Sequence, residues 1–159
     1  MILTNIVKNL SGRFNTSLSV DENGICTFTV NGKYLISLEN STDNKGFFLY
    51  SVLYALSHDH EKEEAIELLT ANLFGHATGK GSIGYDPSTR SLIYFEFFDN
   101  EATEPALFYE ELSLYVMCLD ALIKKHQQPL ETPLSESAQS MNEMILKNAS
   151  SKGKMIFLG

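Results

Sequence analysis

Three groups of residues in this chain carry side chains that could do chemistry, and the first is a histidine cluster. His58, Asp59 and His60 have donor atoms suited to a metal ion. Ligands two residues apart point in opposite directions on a strand and are poorly placed on a helix. No further ligand motif accompanies them, so we expect a solvated cluster at the start of a helix, with no metal site and no cofactor.

The second group is a glycine-rich segment, GHATGKG, which runs from Gly75 to Gly81. A phosphate-binding loop follows a strand, precedes a helix and has four residues between its first two glycines. Here three residues separate Gly75 from Gly79, and a glycine follows Lys80 where the motif has Ser or Thr. Because a helix is predicted before it and a strand after it, the segment is interpreted as a helix end and a loop.

The third group is a carboxylate cluster formed by Glu61, Glu63, Glu64 and Glu67. Paired catalytic carboxylates need a shielded cleft and different surroundings, whereas these residues occupy positions typical of a solvated helix face. None of the four histidines lies beside a candidate nucleophile, and the sequence has no nucleophile-elbow motif. The sequence therefore predicts no catalytic residues and no enzyme.

The composition limits the classes of partner. The chain has 159 residues, a net charge of -8 and only 12 Lys and Arg residues. Nucleic-acid binding needs clusters of basic residues to neutralise phosphates, so a nucleic-acid partner is disfavoured. The length suits one globular domain with a core of its own.

The cellular compartment is predicted from the cysteines and the hydropathy pattern. Cys26 and Cys118 stand far apart in apolar runs, which is typical of buried free thiols. No stretch approaches the ~18 consecutive apolar residues that a membrane span requires. Polar residues interrupt the N-terminal MILTNIVKNL, so it does not resemble a signal peptide. We expect a cytoplasmic protein.

The first third of the chain predicts a helix followed by an antiparallel meander. Apolar residues from Ile2 to Leu10 recur at helical spacing. Two Asn-Gly turns, at 23–24 and 31–32, separate alternating runs that predict strands at 18–20, 25–30 and 34–38. The aromatic run at 47–54 favours a further strand.

The stretch from Glu64 to Phe98 organises the rest of the chain. It begins as an amphipathic helix whose expected apolar stripe is Ala65, Ile66, Leu69 and Leu73, widened by Leu68. After the break at Gly75, a hairpin is predicted from strands at 82–85 and 91–98 around an Asp-Pro-Ser-Thr turn. Together, these elements predict an α+β fold in which a meander and a hairpin pack against three helices.

The third helix is predicted before Pro129, with an apolar stripe wide enough to be buried on more than one side. Beyond it the composition changes to Pro, Ser, Glu, Asn and Lys. We therefore expect two parts, a globular domain at 1–128 and a flexible C-terminal tail at 129–159 that could dock on the body or on a partner.

The central stretch also resembles a known family. Leu68-Leu69, Asn72-Leu73-Phe74, Thr78, Gly81 and Ile83-Gly84-Tyr85-Asp86 are similar to the packing pattern of class I type III secretion chaperones, the Tir-chaperone-like family. The resemblance covers roughly residues 1–128. It implies an α+β homodimer, in bacterial cytoplasm, that binds the N-terminal segment of a secreted effector in an extended, secretion-competent form.

The resemblance also implies two sets of site residues. The helix and hairpin of the central stretch imply a dimer interface at Ile66, Leu69, Leu73, Ile83 and Tyr85. The first helix and the meander imply an effector-binding groove at Leu3, Ile6, Leu10, Phe28, Val30, Ile36 and Leu38. The alternation of the strands does not decide which face of the sheet points inward.

A second hypothesis stays open from the residues alone. A dimeric adaptor or regulatory protein of the same fold would bind a folded partner through its helices rather than through strand edges. Both hypotheses predict a homodimer, and neither predicts a membrane span.

Overall fold

The computed structural model describes residues 2–56, 59, 61–126, 154–156 and 158. Within these ranges the chain forms three α-helices, one short 3-10 helix and six strands. In chain order they are α1 (Ile2–Arg13), β1 (Ile25–Val30), β2 (Tyr34–Asn40), β3 (Gly46–Ala55), α2 (Glu61–Asn72), the 3-10 helix (Leu73–Gly75), β4 (Ser82–Asp86), β5 (Ser91–Asp99), α3 (Phe108–His126) and β6 (Lys154–Ile156).

The described strands form one sheet in the order β4-β5-β3-β2-β1-β6. All pairings are antiparallel except that of β1 with β6. The turn between β1 and β2 has positive φ at Asn31 and Gly32, which an Asn-Gly pair adopts easily. This topology, with its three helices, confirms the predicted α+β fold and antiparallel sheet.

The predicted strand at Leu18–Val20 is wrong, because these residues have no strand conformation. The Leu18 N–H donates a hydrogen bond to the Ser11 hydroxyl oxygen at 3.0 Å, which holds the segment against the end of α1. The meander instead consists of β1, β2 and β3. Its third strand is the aromatic run, as the enrichment in aromatic and β-branched residues favoured.

The predicted hairpin of β4 and β5 is confirmed. At its turn the Asp86 carboxylate accepts hydrogen bonds from the backbone N–H of Ser88 at 2.9 Å and from its hydroxyl at 2.7 Å. The Thr89 hydroxyl donates to the same carboxylate at 2.8 Å. These bonds replace water around the turn and fix the register of the two strands.

One hydrophobic core lies between the inner face of the sheet and the helices. Alternate strand residues share it with the apolar stripe of α1, as the period of two predicts. Five residues of the predicted stripe of α3 are buried: Phe108, Leu112, Tyr115, Leu119 and Leu122. The buried stripe is narrower than predicted, because Leu114, which was expected to join it, is 54% exposed. Cys26 is a buried free thiol and Cys118 is half-buried, in agreement with the predicted free cysteines.

α2 packs through a different face from the predicted one. Its buried residues are Leu68 and Ala71, three positions apart. Of the expected stripe, Ile66, Leu69 and Leu73 are exposed. The prediction was wrong because this helix is apolar on two sides, and periodicity does not say which side meets the core of the same protomer.

The C-terminal strand β6 joins the edge of the sheet beside β1. Its Ile156 side chain belongs to the core cluster. Residues 127–153, in which the tail was predicted to begin, lie outside the described residues. The division at residue 128 therefore stays a prediction.

Candidate protein-binding surfaces

The residues expected to line an effector groove lie in the core. The buried residues of α1 share one core cluster with the inward residues of β1 and β2, among them Phe28 and Val30. All seven are at most 2% exposed: Leu3, Ile6, Leu10, Phe28, Val30, Ile36 and Leu38. This burial corrects the expected open groove, because a bound segment could touch these side chains only if the core opened.

A different apolar surface lies at the end of the sheet formed by β4. We call it the α2 patch and define it as Ile66, Leu69, Leu73, Phe74 and Tyr85, which range from 47% exposed for Tyr85 to 87% for Phe74. Four of the five predicted interface residues belong to it. The fifth, Ile83, is buried beneath the patch and supports it from the core.

Hydrogen bonds fix the α2 patch to the sheet. The Asn72 side chain, at the end of α2, accepts from the Ile83 N–H at 2.7 Å and donates to the Ile83 carbonyl at 2.9 Å. At the other end of α2, Arg90 forms an ion pair of 2.7 Å with Glu61. The helix and the hairpin therefore present their apolar side chains as one surface.

Phe74 is the residue of the α2 patch that sequence reasoning missed. It follows α2 in the 3-10 helix with a φ of 54°, in the left-handed region that an aromatic residue rarely adopts. This backbone reversal turns the ring outward. Exposed aromatic side chains beside a helix end are typical of interface anchors, and the Leu-Phe-Gly sequence before the loop was the available signal.

The outer face of the sheet carries a second apolar surface, which sequence reasoning also missed. We call it the outer aromatic face and define it as Phe48, Val52, Phe95 and Phe97. Phe48 pairs with Phe97 across β3 and β5, with ring centroids 5.2 Å apart, and lies 6.2 Å from Phe95. The run at 47–54 has apolar residues at both odd and even positions. Its sequence pattern therefore did not indicate which residues face outward.

Polar groups border the outer aromatic face on the side of β2. The Tyr50 hydroxyl donates a hydrogen bond of 3.0 Å to Glu39, and Thr27 and Ser37 are 3.0 Å apart between their hydroxyls. Burial, more than the Glu39 carboxylate, raises the pKa of Tyr50 to about 12, so this hydroxyl stays protonated at neutral pH. Beside β3, the outward residues Ser37 and Glu39 of β2 are therefore polar.

Buried charge occurs at Glu96, on the inner face of β5. The Tyr94 hydroxyl donates its hydrogen bond to Thr78 O at 2.8 Å, and its oxygen lies 3.2 Å from a carboxyl oxygen of Glu96. Burial is the largest cause that raises the pKa of Glu96 above that of an ordinary glutamate. The Glu111 carboxylate raises the pKa of Glu96 further, whereas Lys80, which is ion-paired with Glu111 at 2.8 Å, lowers it. We interpret Glu96 as a structural residue.

We expect Glu96→Gln to stabilise the protein at neutral pH. A carboxyl whose pKa is raised on folding binds its proton more tightly in the folded state. The protonated Glu96 side chain therefore contributes to stability below pH 4.5, and this contribution is lost as pH rises through the folded pKa. The neutral variant avoids this loss. Thermal unfolding at pH 7.5 and pH 4.5 measures it.

The exposed Glu110 of α3 offers a control, since Glu110→Gln removes the same charge without burial. The gain from Glu96→Gln should shrink towards pH 4.5, while the control should show no such trend. A destabilised Glu96→Gln variant at pH 7.5 contradicts the assignment of Glu96 as a penalised buried carboxylate.

The described residues contain no group of three or more His, Cys, Asp or Glu side chains that could hold a metal ion. His58 and His60 of the first sequence cluster lie outside them. No helix in the same part of the chain is long and apolar enough to cross a membrane.

Comparison of the sequence with known proteins identifies several relatives. The chain is 27% identical over 106 residues to the Tir chaperone of Escherichia coli O111:H-, covering 67% of each chain. It is 26% identical over 106 residues to the Tir chaperone of Citrobacter freundii, again with 67% of each covered.

The fold has counterparts among solved structures. A chain of the ExsC-ExsE complex matches with a TM-score of 0.65 at 15% identity, over 82% of this chain and 96% of that one. A chain of the HopA1-SchA chaperone-effector complex matches with a TM-score of 0.64 at 13% identity, over 77% of this chain and 94% of that one. A sequence model of the Tir chaperone protein (CesT) family matches residues 5–122. This match spans well over half of the 159 residues, so the chain belongs to the Tir chaperone protein (CesT) family.

Proposed function

We propose that this protein is a cytoplasmic chaperone that binds the N-terminal segment of a type III secretion effector and keeps it extended until export. Family membership supports the class of function, and relatives by sequence carry the name Tir chaperone. The observation that carries the proposal is the outer aromatic face, in which Val52 and Phe97 are 40% and 49% exposed and Phe48 and Phe95 are half-buried.

The outer aromatic face suits an unfolded apolar segment better than a catalytic role. Its four side chains spread along two paired strands, so they offer separate contacts for successive side chains of an extended peptide. A segment that becomes ordered on binding loses conformational entropy, so it needs a large contact area for useful affinity. Binding would protect the segment without any covalent step.

We also propose that the chain acts as a homodimer joined through the α2 patch. An exposed, fixed set of apolar side chains on one helix and one edge strand fits a self-complementary contact about a twofold axis. The patch consists of side chains on α2, the 3-10 helix and β4, and it shares none with the outer aromatic face on β3 and β5. Dimer formation would therefore leave that face available for the effector.

Affinity purification of the tagged protein from its native bacterium, followed by mass spectrometry, tests the chaperone function. We expect one dominant secreted protein, retained through its N-terminal region. Phe97→Asp should lower its recovery about 30-fold, because truncating an aromatic anchor typically costs about 2 kcal/mol and a charge adds a desolvation cost.

Leu114→Asp is the matched control, since Leu114 on α3 is 54% exposed and Phe97 is 49% exposed. This variant should recover the effector at the wild-type level. Capture of folded cytoplasmic proteins alone would favour the adaptor hypothesis. Equal recovery with Phe97→Asp and wild type would remove the outer aromatic face from the proposal.

A further inference from the structure

The sheet ends in a strand that the chain itself supplies from its C-terminus. β6 pairs in parallel with β1 through Phe28–Lys154, Thr29–Met155 and Val30–Ile156. The partners are more than 120 positions apart in sequence. An edge strand offers unpaired N–H and C=O groups to any extended segment, so the chain fills with its own residues a site that could accept another chain.

The site on β1 that β6 occupies suits an extended segment with aliphatic residues at alternate positions. The Ile156 side chain is 2% exposed and lies in the core cluster, while Leu158 is partly buried against the same cluster. Asn31 contacts both residues. Its N–H donates to Ile156 O at 2.6 Å, and its side-chain oxygen accepts from the Leu158 N–H at 2.8 Å.

The pairing of β6 is short for the edge that it occupies. β1 pairs with β2 over six residues, from Ile25 to Val30, but with β6 over only three. Residues 25–27 of β1 have no partner on that edge among the described residues. A longer extended segment could therefore form more hydrogen bonds with β1 than β6 does, and could displace it.

We propose that β6 occupies an edge of β1 that can bind another extended peptide, and that β6 competes with such a peptide for this edge. An extended effector segment with two aliphatic residues, spaced as Ile156 and Leu158 are, displaces β6. The effector's identity as occupant rests on the proposed function. β6 keeps the edge and the core beneath it covered while no effector is present. Its tether keeps it at a high effective concentration, so only a segment that pairs more extensively replaces it.

A peptide-exchange experiment on the full-length protein tests this competition without any effector. The probe is a fluorescein-labelled peptide with the sequence of residues 152–159, KGKMIFLG. We expect the peptide to bind the Ile156→Asp variant about tenfold more tightly than wild type. This ratio follows if β6 occupies the edge in about nine-tenths of wild-type molecules, which leaves about one-tenth able to bind the peptide. Fluorescence anisotropy gives both dissociation constants.

Two further variants keep the test decisive. Leu158→Asp changes a side chain that is only partly buried, so it frees the edge with less risk to the fold, and it should tighten peptide binding in the same direction. Adding Asn31→Gly to Ile156→Asp retains the positive φ but removes the oxygen that accepts from Leu158, so it should weaken peptide binding. Equal peptide affinity for wild type and both Asp variants overturns the proposal.

The effector recovered by affinity purification provides a second readout. Ile156→Asp should increase its recovery from cells, while Met117→Asp, an equal charge change at an exposed position of α3, should not. If the peptide binds as expected but effector recovery is unchanged, the effector does not use this edge and that half of the proposal is wrong. If no effector is recovered by any variant, the chaperone function fails while the peptide result still stands.

Discussion

Leu69→Asp should convert the proposed homodimer into a monomer of 17.8 kDa. Leu69 lies in the middle of the α2 patch and is 71% exposed in the protomer, so the substitution leaves the core unchanged. In the dimer, by contrast, the carboxylate would be buried without a partner. We expect a cost of at least about 3 kcal/mol, which weakens association by at least about 100-fold.

Light scattering at micromolar concentration measures this change. Wild type should give twice 17.8 kDa, or 35.6 kDa. Leu114→Asp carries the same substitution on a leucine of similar exposure outside the patch, and it should remain dimeric. Circular dichroism should show all three proteins folded. A dimeric Leu69→Asp protein beside a monomeric Leu114→Asp protein would move the interface from α2 to α3.

Phe28→Ala should strongly destabilise the fold rather than selectively abolish effector binding. The ring is fully buried in the core, and deleting it leaves a cavity that neighbouring side chains fill only in part. Such deletions cost about 3–5 kcal/mol. For a chain of this length, that corresponds to a loss of roughly 10 °C in Tm.

Phe97→Ala is the matched comparison, because it removes the same ring from the half-exposed outer aromatic face. Urea unfolding should give a loss below about 1 kcal/mol for this variant. The two variants therefore distinguish a phenylalanine that stabilises the fold, Phe28, from one that is proposed to bind the effector, Phe97. A Phe28→Ala protein with wild-type stability but no effector binding would restore the groove that the sequence predicted.

Local patterns were sufficient to predict much of the fold. The turn at Asn31-Gly32, the hairpin turn at Asp86 and the stripe of α3 each depend on chemistry within a few residues. These features occur as predicted, except that Leu114 lies outside the buried stripe. The core residues of α1 were also found, although they were assigned to a binding surface.

The surfaces were harder to predict because burial is decided by tertiary packing. A stripe such as Ile66, Leu69 and Leu73 has the same periodicity whether it meets its own core or a second protomer. The strand from Phe47 to Tyr54 is apolar on both faces, so only the layer above it shows which residues face outward. The pairing of Ile156 with Val30 depends on contacts across almost the whole chain.

The strand order sets the dimensions of the assembly. The α2 patch adjoins β4 at one end of the sheet, and β6 closes the other end. With neighbouring strands about 4.8 Å apart, the sheet is about 24 Å wide. In the proposed homodimer, a twofold axis at the β4 end would place the two β6 positions, each beside a β1 edge, about 50 Å apart. An extended effector segment that reached from one edge to the other would need at least about 15 residues, which sets a minimum length for a segment that engages both protomers.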